Sequence, residues 1–126
     1  MDNTISMATG NQWVGDFADC KCDLSLLQSA RELEIACEKI VTASGLMVMG
    51  RVFHQFQPAG ATGLFLLAES HLAIHTWPER ASVAIDLYVC NVEENNADKA
   101  SGVFQELLAL FRPGHRTQQL IQRGGV

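Results

Sequence analysis

Hydrophobic and polar positions along the chain follow two repeats in turn. Between Gln12 and Cys20, Trp13, Gly15 and Phe17 alternate with Val14, Asp16 and Ala18, the two-residue period of a strand with an apolar face. From Asp23 the period lengthens: Leu26, Leu27, Ala30, Leu33, Cys37, Ile40 and Val41 fall on one side of a 3.6-residue turn. An amphipathic helix is therefore predicted, capped by Asp23 or Ser25 and stopped at Gly45. Residues 46–56 are rich in β-branched, aromatic and Met side chains and are broken by Pro58 and Gly60, which reads as strand and turn. Residues 62–67, 72–77 and 82–90 are further strands, the last two parted by a turn at 78–80 and antiparallel to each other. A second helix carries Val103, Phe104, Leu107, Leu108 and Phe111, with Asn96 or Asp98 as cap and Pro113-Gly114 as terminator. From His115 onward the pattern lapses and no element is expected.

The order is β-α-β-β-β-β-α. Strands adjacent in sequence, with helices to cover them, imply an α+β fold: a two-layer sandwich with an antiparallel sheet and helices on one face. Repeats, low-complexity tracts and linkers are missing, so residues 1–126 read as a single domain, with 1–11 as a polar, flexible arm. No glycine-rich phosphate fingerprint follows a strand, which argues against nucleotide-binding Rossmann and P-loop folds.

A formal net charge of -5 argues against a nucleic-acid surface, because such affinity comes from clustered Lys and Arg, and points to a small-molecule partner. No apolar run nears the ~20 residues that span a bilayer, and residues 1–10 lack the basic and apolar parts of a signal peptide. Both point to a cytoplasmic protein with no membrane partner. In that compartment Cys20, Cys22, Cys37 and Cys90 are expected as reduced thiols. Cys20 and Cys22 make no persuasive metal pair without a second ligand cluster.

Chemistry concentrates in residues 68–79, Ala-Glu-Ser-His-Leu-Ala-Ile-His-Thr-Trp-Pro-Glu. Glu69, Ser70, His71 and His75 place an acid, a hydroxyl and two imidazoles within seven residues of what reads as strand. Buried polar groups need partners, so a core strand seldom carries so many without use. Taken alone, Ser70 would be an ordinary strand serine and Cys90 a small buried hydrophobe. Together, however, these residues resemble the Glu-Ser-His-x-x-x-His-Thr-Trp-Pro-Glu signature of the prokaryotic S-adenosylmethionine decarboxylases. The resemblance extends upstream through Phe53, His54, Phe56, Pro58, Gly60 and Gly63, downstream through Ala84, Ile85, Asp86 and Cys90, and more weakly to residues 13–20.

The resemblance implies a proenzyme that cuts itself between Glu69 and Ser70, giving chains 1–69 and 70–126 that assemble as a dimer of such pairs. Ser70 would attack the Glu69 carbonyl and end as a pyruvoyl group. That ketone holds the substrate amine and takes up electrons as carbon dioxide leaves, so neither metal nor pyridoxal phosphate is implied. The resemblance also implies roles at other positions. His75 would move protons during processing, with Thr62 assisting, and Cys90 would protonate the substrate carbon. Phe56, Leu72 and Glu79 would contact substrate, Phe56 through adenine and Glu79 through ribose. The product would be the aminopropyl donor for spermidine.

Two features complicate that reading. Strand alternation puts Ser70, Leu72 and Ile74 on one face and His71, His75 and Trp77 on the other. If Ser70 and His75 cooperate, the chain has to bend or bulge at Glu69–Ser70, and a strained peptide there is expected. Thr62 and Ala68 stand where serines are usual in the family, and Ala59 where an aromatic is frequent. A pyruvoyl-dependent arginine or ornithine decarboxylase, or an unprocessed regulatory or binding subunit, are the alternatives.

Overall fold

The computed structural model describes residues 8–92 and 94–125. Six strands, β1 (Gly10–Cys20), β2 (Val48–Gln55), β3 (Ala61–Leu67), β4 (Ser70–Trp77), β5 (Ser82–Cys90) and β6 (Pro113–Arg123), form one sheet in the order β2-β3-β4-β5-β1-β6. Every neighbouring pair is antiparallel. Three helices accompany it, α1 (Leu24–Gln28), α2 (Ala30–Ala43) and α3 (Ala97–Phe111). The α+β architecture is the one expected from the sequence.

Alternation builds the core. Leu72 and Ile74 of β4 and Val83, Ile85, Leu87 and Val89 of β5 are buried with Leu33, Cys37 and Val41 of α2 and Val103, Phe104, Leu107 and Phe111 of α3. Trp13 stacks on Phe104 with ring centroids 4.8 Å apart, while Phe17 meets the same ring edge-on at 5.8 Å. At Gly15 an added Cβ would lie 3.0 Å from the Phe104 ring, so the missing side chain lets α3 settle onto β1. The alternate positions, among them Gln12, His71, His75, Asp86 and Tyr88, stand on the face away from this core.

Two elements differ from expectation. The single helix from Asp23 is two, because Ser29 adopts extended backbone (φ -109°, ψ 121°) and its side chain accepts from the Glu32 N–H. Ser29-x-x-Glu32 has the capping-box spacing, so α2 begins afresh there, whereas Asp23 precedes α1 without a side-chain cap bond. Gln55 of β2 seals the break: its Oε1 accepts from the Ala30 N–H at 2.6 Å and its Nε2 donates to the Gln28 carbonyl at 2.8 Å.

The second difference is β6, in the tail where the pattern marked no element. It pairs with β1 from Gly10↔Arg123 to Cys20↔Pro113. Nearly all its residues are exposed, so backbone pairing rather than core burial holds it, and an edge strand of that kind leaves no apolar period to read. The element order is therefore β-α-α-β-β-β-β-α-β. Of the expected arm, residues 1–7 lie outside the described residues, and Gly10 and Asn11 already belong to β1. No described helix is long and apolar enough to cross a membrane.

Candidate active site

The β3–β4 hairpin turns through only Ala68 and Glu69, since Leu67 pairs with Ser70. Glu69 closes the turn at φ +57°, a left-handed conformation that costs a non-glycine residue ~1–2 kcal/mol. The chain thus reverses at Glu69 in a tight turn and not through a bulge within a strand, and this turn does not bring Ser70 to His75. Ser70 follows as the first residue of β4, 7% exposed, with its Oγ accepting from the Cys90 N–H at 3.1 Å. Beside this bond lies a cleft of about 280 Å³ lined by residues including Met47, Glu69, Cys90, Asn96 and Lys99.

A second cleft of about 280 Å³ is lined by Phe56, Thr62, His75, Trp77 and Glu79, with Ala59 and Gly60 of the turn before β3. Thr62 and His75 are direct partners across β3 and β4, and Thr62 Oγ1 and His75 Nδ1 are hydrogen-bonded at 3.0 Å. The His75 ring lies near-parallel to Trp77, centroids 6.0 Å apart. Phe56 is 46% exposed, and Glu79 stands exposed on a single 3₁₀ turn, Pro78–Arg80.

These residues therefore form two groups at opposite ends of β4. Five residues of extended chain separate Ser70 from His75 by about 17 Å, and the two face opposite sides of the sheet. Leu72 belongs to neither group; it is fully buried under the helices and reaches neither cleft. His71 stands on the uncovered face with Nε2 3.4 Å from Asp86 Oδ1, which also accepts from Gln12 Nε2 at 3.0 Å. His54 is exposed, its ring edge-on to Phe56 at 4.7 Å. All four cysteines are free thiols. Burial pushes Cys37 up to about 12 and, with help from Cys22 and Asp19, Cys20 up to about 11, so neither is a ready thiolate.

Residues 11–124 match the family profile described as S-adenosylmethionine decarboxylase. The chain belongs to the S-adenosylmethionine decarboxylase family. It is 39% identical over 100 residues to the S-adenosylmethionine decarboxylase proenzyme of Persephonella marina, covering 79% of this chain and 70% of that one. It is 37% identical over 87 residues to the proenzyme of Archaeoglobus fulgidus, covering 69% and 74%. Among solved structures it is similar to the adenosylmethionine decarboxylase of Aquifex aeolicus, with a TM-score of 0.85, 28% identity and coverage of 96% and 95%.

Proenzymes of this family are pyruvoyl-dependent, the group being formed from a serine by self-cleavage. Ser70 fits that origin: it follows a left-handed residue, opens a strand, and has its oxygen held by a backbone donor. One feature of the site escaped the sequence reading, a run of amide side chains around Cys90. Asn96 Nδ2 donates to the Cys90 carbonyl at 2.9 Å, the Asn96 N–H donates to Asn91 Oδ1 at 2.8 Å, and Asn91 Nδ2 donates to Asn11 Oδ1 at 2.9 Å. Asn96 ahead of a helical stripe suggested only a cap.

Proposed function

We propose that the chain cleaves itself between Glu69 and Ser70 and that the processed protein decarboxylates S-adenosylmethionine, yielding the aminopropyl donor for spermidine. The observation that carries this reading is the left-handed Glu69 immediately before a serine whose Oγ is fixed by the Cys90 N–H.

Attack of Ser70 Oγ on the Glu69 carbonyl carbon moves the acyl group from nitrogen to oxygen, and the hydroxyl proton passes to the nitrogen. A hydrogen bond from Cys90 N–H fixes the position of that oxygen for the attack, and leaving the left-handed turn relieves its strain. Elimination then frees Glu69 as a carboxylate, and water replaces the nitrogen, which departs as ammonia. The pyruvoyl group so formed supplies an electron sink for the carbon that loses carbon dioxide. Cys90, which lines the cleft beside Glu69, returns a proton to that carbon in this reading. At the other cleft, Phe56 offers a half-exposed ring for adenine and Glu79 a carboxylate for ribose hydroxyls. His75, set by Thr62, is the proton carrier.

Each chain holds the two halves about 17 Å apart, so the working site joins the Ser70 end of one copy to the His75 cleft of another. A dimer with two equivalent sites follows from two-fold symmetry. Exposed Val52, Phe56, Leu66 and Trp77 support an apolar contact between copies. Reduced thiols fit a cytoplasmic setting. The arginine or ornithine decarboxylase and silent-subunit alternatives are not favoured by the family match.

A denaturing gel with intact mass tests the first step. Two fragments, 1–69 and 70–126, with a ketone-reactive terminus on the second are expected. One species at 13.8 kDa overturns self-cleavage. Carbon dioxide release from S-adenosylmethionine, but not from arginine or ornithine, is the expected second result; the reverse overturns the substrate.

A further inference from the structure

Asn96 occupies the N-cap position of α3, where an asparagine oxygen ordinarily accepts a hydrogen bond from a backbone N–H in the first turn. Here it makes no such bond. The side chain is turned the other way: Nδ2 donates to the Cys90 carbonyl at 2.9 Å, and Oδ1 is buried with no partner among the described residues. The bond to a carbonyl settles which end is nitrogen, because an oxygen facing that carbonyl would repel it. A helix cap is forgone and a buried acceptor is left unsatisfied, both of which destabilise. The arrangement serves Cys90 at the expense of α3.

Cys90 is also the residue whose N–H holds Ser70 Oγ, at 3.1 Å. Its backbone is thus gripped on both sides, by Asn96 at the carbonyl and by the attacking oxygen at the N–H. Asn96 is itself anchored: its N–H donates to Asn91 Oδ1, Asn91 Nδ2 donates to Asn11 Oδ1, and Asn11 Nδ2 donates to Gln122 Oε1 at 3.1 Å. The chain of amides ties the end of β5 to β1 and β6 and leaves Cys90 little freedom to drift from Ser70. We propose that Asn96 is a positioning residue for self-cleavage, holding the Cys90 backbone so that its N–H keeps Ser70 Oγ oriented toward the Glu69 carbonyl. This inference rests on self-cleavage at Ser70 as proposed above.

The test separates positioning from stability. Asn96→Ser keeps a good N-cap residue but replaces the amide that reaches the Cys90 carbonyl with a hydroxyl one bond shorter, whereas Asn95→Ala removes a side chain that accepts from the Ala97 N–H and touches nothing at Ser70. Fragment appearance is timed in full-length chains made by cell-free translation. Melting temperature is measured on the same changes in an uncleavable Ser70→Ala background. Expected for Asn96→Ser is an unchanged or raised melting temperature with self-cleavage slowed about tenfold or more, equivalent to ~1.4 kcal/mol of barrier. Expected for Asn95→Ala is a lowered melting temperature with the parental cleavage rate. The proposal is overturned if Asn96→Ser cleaves at the parental rate, or if both variants slow cleavage in step with lost melting temperature. A parent chain that never cleaves would instead remove the self-cleavage reading itself.

Discussion

Ser70 and His75 share β4 and face away from each other, Ser70 buried on the helix side and His75 paired with Thr62 on the open side. No rotamer of either brings them together across about 17 Å. If both serve one reaction, they come from different copies. Ser70→Ala and His75→Ala should each block cleavage alone. Refolded as a mixture, they should regain it, and only the chain carrying His75→Ala, whose Ser70 is intact, should be cut. A size tag on that chain lets a gel identify it; no fragments from the mixture would mean that each site is built within one chain.

Thr76 is 5% exposed and links three elements: Oγ1 donates to the Leu27 carbonyl at 2.8 Å and accepts from the Ala61 N–H at 2.9 Å. Thr76→Val preserves the shape and leaves both backbone groups unsatisfied in the core. We expect a loss of ~1–3 kcal/mol by denaturant unfolding of the uncleaved Ser70→Ala protein. A change within a few tenths would show that these groups find other partners.

Gly63 of β3 faces Phe53 across the strand pair, and an added Cβ would lie 2.1 Å from that ring. Phe53 is half-buried and packs edge-on against buried Phe65, centroids 5.2 Å apart, which blocks its retreat toward the core. Gly63→Ala is expected to destabilise by ~1–3 kcal/mol, the usual penalty of overpacking, and to lower the melting temperature measurably. An unchanged melting temperature would locate slack at Phe53 that the packing does not reveal.

Cys37 is fully buried, and burial pushes its thiol from 9.0 up to about 12. Between those values the unfolded chain has lost the proton and the folded chain keeps it. Stability is thus fully present below about pH 9 and falls as pH rises toward 12, at up to ~1.4 kcal/mol per pH unit from this group. Cys37→Ala should cost ~1 kcal/mol at neutral pH through lost packing, yet lose less than the parent between pH 9 and 11. Iodoacetamide at pH 8 should label half-buried Cys22 and Cys90 before Cys37. An equally steep alkaline fall in both proteins would place the titration elsewhere.

Much of the fold was legible because its cause is local or periodic. The β5 alternation of Val83, Ile85, Leu87 and Val89 with polar or small residues is the burial pattern of the strand itself. The stripe of Val103, Phe104, Leu107, Leu108 and Phe111 is likewise the buried face of α3. The break at Ser29 was also encoded, in the Ser29-Glu32 spacing, but the apolar period runs through it and hides it. β6 left no such mark, because its order comes from pairing with β1, about a hundred residues away in sequence.

For the site, the sequence by itself determined the candidate residues, a serine after an acid and a histidine five residues on, within a motif dense enough to identify a family. It even determined that Ser70 and His75 face opposite ways, since alternation is a property of any strand. Only the tertiary structure decided where the strain lies, at a left-handed Glu69 in a two-residue turn, and what holds the serine oxygen, the backbone of Cys90. It also decided that the Asn96 side chain bonds the Cys90 carbonyl and not the first turn of its own helix. These are backbone conformations and contacts between segments distant in sequence, which no local pattern of residue types records.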